Sequence, residues 1–128
     1  MTTSTHKIEV YPFSYNKLIN NLRKIDIRPY TKKLHSISVG DTIEYINLET
    51  KDCIKRKVTG IALFNDFKTL VKMLPHDLIG YNSKEEVSLR IERMYKKSDE
   101  EQFGVCALFI EEPQIKNLTP SIHLKKAV

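Results

Sequence analysis

Residues 22–30 read "LRKIDIRPY". Alternation makes them a short strand stopped at Pro29, with Ile25 and Ile27 on one face and Lys24, Asp26 and Arg28 on the other. The stretch decides the fold because of what precedes it. "SYNKLINN", 14–21, places Tyr15, Leu18, Ile19 and Leu22 at the i, i+3, i+4, i+7 spacing of one helical face, predicting a helix over 15–22 with Ser14 as its cap. "HKIEVYPF", 6–13, reads as an opening strand ended by Pro12. The chain therefore starts β-α-β.

Downstream, "TKKLHSISVGDTIEYI", 31–46, turns at Val39-Gly40-Asp41 into a strand. Ile43 and Tyr45 share one of its faces, and Thr42, Glu44 and Ile46 the other. "NLETKD", 47–52, is a polar hairpin connection. "CIKRKVTGIALF", 53–64, is a long strand that passes from basic to apolar at Gly60, where a bend or bulge is expected. "NDFKTLVKMLP", 65–75, predicts a helix over 66–74, capped by Asn65 or Asp66 and stopped by Pro75, with Phe67, Leu70, Val71 and Leu74 as its buried stripe. "SKEEVSLRIERMYKK", 83–97, predicts another over 84–96. Ser83 and Glu86 have capping-box spacing, and Val87, Ile91, Met94 and Tyr95 form the core face. Ser98 and Glu101 repeat the cap signal and predict a brief turn. "FGVCALFIEE", 103–112, is a buried final strand. The order β-α-β-β-β-α-α-β predicts an α+β domain: a mixed sheet of five or six strands curled into a small barrel, with helices over its openings.

Composition bounds the rest. The chain has 128 residues, one domain's worth, and 41% hydrophobic residues suffice for one core. No run approaches the ~20 apolar residues of a membrane span, and no secretory leader is visible, so the expected location is cytoplasmic, with the nucleus left open. Residues 1–112 are expected to form the domain, and 113–128, with two prolines and Lys125-Lys126, a loosely held tail. The net charge of +5 favours an anionic partner such as RNA, DNA or a nucleotide. Four glycines, at 40, 60, 80 and 104, build no phosphate-cradling loop. The four histidines and the two cysteines, Cys53 and Cys106, have no zinc spacing, so no metal and no cofactor are expected. Cys106, in an apolar run, reads as a buried thiol.

Four strings in order resemble the ASCH domain, a member of the PUA-like superfamily. They are "LRKIDIR", "SVGDTIEY", "LIGYNSKEE" and "MYKKSDEEQFGVCALFIEE", and the similarity spans residues 7–112. The ASCH pattern has a helix, then Gly-x-Lys-x-x-Glu-x-Arg, then a Val-Gly-Asp turn. Here Asn21 takes the glycine position, Arg23 the lysine position and Asp26 the glutamate position, while Arg28 keeps the arginine. The resemblance implies a PUA-like barrel that binds RNA or a nucleotide-like ligand in a cleft floored by Arg23, Asp26 and Arg28. Some bacterial relatives hydrolyse N4-acetylcytidine, with a threonine nucleophile where Asp26 stands and a lysine where Arg23 stands. Both replacements count against that chemistry, although an aspartate can serve as a general base. Asp26 is thus the one weak catalytic candidate.

Each candidate has a plainer reading. Lys24, Asp26 and Arg28 could be a solvated ladder of charges; the resemblance instead turns Asp26 and Arg28 into the cleft, where Asp26 orients Arg28 for a phosphate or base edge. Arg23 either complements a helix C-terminus or adds a second cation at the rim. Lys32, Lys33, Lys55, Arg56 and Lys57 form either an ordinary charged edge or a track for an RNA backbone. Tyr30 and Tyr81 either pack or stack on bases. Three functions remain: a binding module, an enzyme on RNA or modified nucleosides (ribonuclease or acetylcytidine amidohydrolase), and a protein-interaction adaptor.

Overall fold

The computed structural model describes residues 3–113. The expected tail lies, beyond Pro113, outside the described residues. Five strands form one curled sheet: β1 (Thr5–Val10), β2 (Ile25–Pro29), β3 (Thr42–Asn47), β4 (Cys53–Phe64) and β5 (Val105–Glu111), in the order β1-β3-β4-β5-β2. β1 runs parallel to β3, and every other pairing is antiparallel. This is an α+β, PUA-like half-barrel with five flanking helices: α1 (Pro12–Ile19), α2 (Phe67–Met73), α3 (His76–Ile79), α4 (Lys84–Met94) and α5 (Lys97–Phe103).

The curl has a local cause. The β4–β5 register shifts between Val58 and Gly60, the bulge that strengthens twist. Glycine fits there because the Phe109 ring would lie 3.3 Å from an added Cβ. The curled sheet has two buried faces. Inside it, Ile8, Val10, Ile43, Tyr45, Val58, Cys106 and Leu108 meet Tyr15 and Leu18 of α1 and Leu34 of a 3₁₀ turn, Lys32–Ser36. Outside, Ile25, Ile27, Val105 and Ala107 meet Phe67, Leu70, Val71, Ile79 and Val87 of α2, α3 and α4. Burying one such aliphatic side chain is worth roughly 1.5–3 kcal/mol.

The helices depart from expectation at both ends of α1, after Pro75 and at Ser98. α1 starts at Pro12, which suits a first helical position because its missing N–H has no partner to lose, and Tyr11 is its N-cap. Ser14 is therefore buried within the helix and does not cap it. The chain leaves the helix by Asn20 and a left-handed Asn21 (φ 57°), so Leu22 is exposed rather than part of the stripe. After Pro75 the connection winds into α3. Ser98 likewise lies inside α5, whose N-cap is Lys96, and makes no capping bond. Its neighbour Glu100 turns inward instead and accepts the Phe67 N–H at the start of α2, 2.8 Å away. The other caps form as the spacing predicts: Asp66 accepts from Thr69 N–H and Ser83 from Glu86 N–H. Glu86 in turn accepts from Asn82 N–H. Among the described residues no helix is long and apolar enough to cross a membrane.

Candidate ligand-binding cleft

Asp26 and Arg28 lie on the inner face of β2, the strand at the edge farthest from β1. Their alternation with Ile25 and Ile27 survives, but both faces are buried, so this is no solvated ladder. Asp26 is buried, and its Oδ2 accepts twice: from Arg28 Nε at 2.9 Å and from Tyr45 Oη at 2.7 Å. Tyr45 has no exposed surface. Burial first, and then the Asp26 charge, hold its phenol protonated well above the usual range. Burial is the strongest single influence on Arg28 and works against its charge, but the Asp26 carboxylate, Tyr95 and Tyr45 together outweigh it, so the guanidinium stays charged.

Arg28 is the member that reaches outward. Its side chain is 20% exposed against 4% for Asp26. It borders a cleft of about 320 Å³ between the β1 and β2 edges, with Lys33 of the 3₁₀ turn, Glu9 of β1, Asp99 of α5 and Tyr95 also on its walls. Tyr95 is fixed by a 3.0 Å bond from its Oη to Ile27 O, and burial raises its pKa. Cys106, opposite Arg28 on β5, is fully buried; burial, then the Asp26 carboxylate, push its thiol up to about 12, leaving it protonated and unreactive near neutral pH.

The remaining candidates disperse. Arg23 is buried on the helical side: Nε donates to Ile79 O at 2.9 Å and Nη2 to Tyr81 Oη at 3.1 Å. It complements a helix C-terminus, but that of α3. Tyr81 is itself 7% exposed and stacked against Phe13, with Lys17 over its ring, so no face is open to a base. Arg56 does not join its neighbours either. Lys55 and Lys57 point outward from β4, whereas Arg56 turns inward, its Nη2 donating to Leu18 O at the end of α1. Lys32 is exposed on the same 3₁₀ turn as Lys33. Tyr30 packs on His35, with ring centroids 4.3 Å apart, and borders a separate hollow with Phe103 and Glu101. Lys24 is exposed and precedes the strand.

Tyr45 is among the residues that the sequence reading missed, with Glu9 and Asp99 of the cleft walls. A tyrosine on an apolar strand face needs a partner for its hydroxyl, and that was the available signal.

Comparison with known proteins bears on the fold. No protein-family model and no curated protein matches the chain. Solved structures do. The hypothetical protein PH0355 is 25% identical, covering 85% of this chain and 98% of that one, with a TM-score of 0.71. Protein PF0455 from Pyrococcus furiosus is 24% identical over 84% and 96%, with a TM-score of 0.62. The ASCH protein from Zymomonas mobilis is 13% identical over 91% and 77%, with a TM-score of 0.59. At that identity the likeness is one of fold.

Proposed function

We propose, from the premise that this chain has the ASCH fold, that it is a binding module for RNA or a nucleotide-like ligand, which it takes in the Arg28 cleft. One observation carries the reading: a charged guanidinium, clamped through Nε by a buried carboxylate, presents its remaining nitrogens at a cleft wall near Lys33. A fixed fork loses less rotamer entropy on meeting a phosphate or base edge than a free arginine does. The acids Glu9 and Asp99 on the same walls give acceptors for the exocyclic amines of a base, so the lining suits a nucleotide better than a bare phosphate. Lys32, beside Lys33, extends the positive rim; Lys55 and Lys57, outside β4, offer a second contact for a longer strand.

The enzymatic readings gain less support. Asp26 has both donors on one oxygen and little exposure, and the neighbouring thiol and phenol are held protonated. Little hydrolysis of N4-acetylcytidine is therefore expected. The test is to titrate the protein with a labelled single-stranded RNA and with each nucleoside monophosphate, for the parent and for Arg28→Ala and Arg28→Lys. Loss of binding in both variants, each still folded at the assay temperature, supports the reading. Equal binding in all three refutes it.

A further inference from the structure

A second concavity is larger than the Arg28 cleft. It lies on the far side of Tyr95, between α2 and α4, closed at one end by α5, and encloses about 810 Å³. Its floor is carbon: the Phe67 and Tyr95 rings stack with centroids 5.4 Å apart and planes 14° from parallel, flanked by Val71 and Ile91. Its rim is basic. Lys68, Lys72, Lys84 and Lys97 border it, against the carboxylates of Glu92 and Glu100.

These charges are not equivalent. Glu100 is buried and engaged by Phe67 N–H and Lys97. Lys84 Nζ is clasped by three carbonyls at the end of α2, those of Val71, Lys72 and Leu74. Lys68 and Lys72, one turn apart on exposed α2 surface, pair with no carboxylate among the described residues. An apolar floor of this size, with two ammonium groups outside any ion pair at one lip, suits a small amphiphilic ligand better than a solvated helix face. The seven residues of α2 span only about 10 Å, too short to seat several turns of a partner helix.

We propose that this groove binds a small amphiphile: a hydrocarbon body on Phe67, Val71, Ile91 and Tyr95, with a single anionic head between Lys68 and Lys72. The proposal is independent of nucleotide binding at Arg28. Its test is a titration of the full chain with octanoate and with 1-octanol, followed through the methyl resonances of Val71 and Ile91. Octanoate is expected to bind about fivefold more tightly than the alcohol, the size of an exposed charge contact. Lys68→Gln with Lys72→Gln should remove that preference and leave the alcohol unchanged. Ser88→Trp, on the exposed wall of α4, should fill the groove and abolish both while the melting temperature holds. Equal affinity for acid and alcohol, methyls that do not shift with either, or a preference that survives loss of both lysines would overturn it. So would an acidic amphipathic peptide that binds the groove where octanoate does not.

Discussion

Tyr45 donates its hydroxyl to Asp26 across 2.7 Å, although β4 and β5 stand between their strands in the sheet. Neighbouring strands lie ~4.8 Å apart, so a flat sheet would hold these two strands some 14 Å from one another. The bond closes only because the sheet curls, and it ties the curl to the carboxylate that holds Arg28. Tyr45→Phe should therefore cost about 1.5–3 kcal/mol, the range for a hydrogen bond to a charged group. Urea denaturation of the two proteins measures it.

Removing the carboxylate itself should be less damaging than in a sealed core. Breaking a fully buried ion pair costs roughly 3–5 kcal/mol. Arg28 is partly exposed and can turn to water in the cleft, so Asp26→Asn should fall below that range. It should still weaken nucleotide binding, because the guanidinium is no longer held. Equilibrium unfolding and a binding titration on the same variant separate the two effects.

Acid should loosen the other end of the barrel. Asp41 accepts from the Ser4 N–H, from His6 and from the Ser38 N–H, and these bonds, in that order, lower its carboxyl from 3.8 to about 2. A folded-state value below the unfolded one contributes stability that is complete above pH ~4 and fades as pH falls toward 2. Asp41→Asn should lower the urea midpoint at neutral pH. The gap between variant and parent should narrow steadily from pH 4 to pH 2.

The basic residues should divide by role. Lys33→Ala should lower the log–log salt slope of single-stranded RNA binding by about 0.7, the value for one phosphate contact. Arg56→Ala should leave the slope alone and lower the melting temperature, because its guanidinium serves Leu18 O. Salt titrations and thermal melts of the two variants check this.

What the sequence disclosed follows from the range of the interactions. Period-2 alternation was enough to place Ile25 and Ile27 opposite Asp26 and Arg28, and Gly60 marked the bulge. Asp66 and Ser83 announced their helices because caps are local. The same alternation, applied to "KRK", separates Arg56 from Lys55 and Lys57, yet charge similarity grouped all three. Arg23 was ambiguous because its partners, Ile79 and Tyr81, lie more than fifty residues away. The Tyr45–Asp26 contact depends on the curl, which no short window contains.

The most direct test of the account is the affinity of Arg28→Ala for a nucleoside monophosphate or short RNA, measured beside its melting temperature. Binding should be weaker by about 1.5–3 kcal/mol, roughly ten- to a hundred-and-fifty-fold; the melting temperature should fall, because buried Asp26 loses its charged partner, while the fold is retained through the core contacts of Ile25 and Ile27. A variant that binds as tightly as the parent would contradict it and leave Arg28 a partner of Asp26 alone.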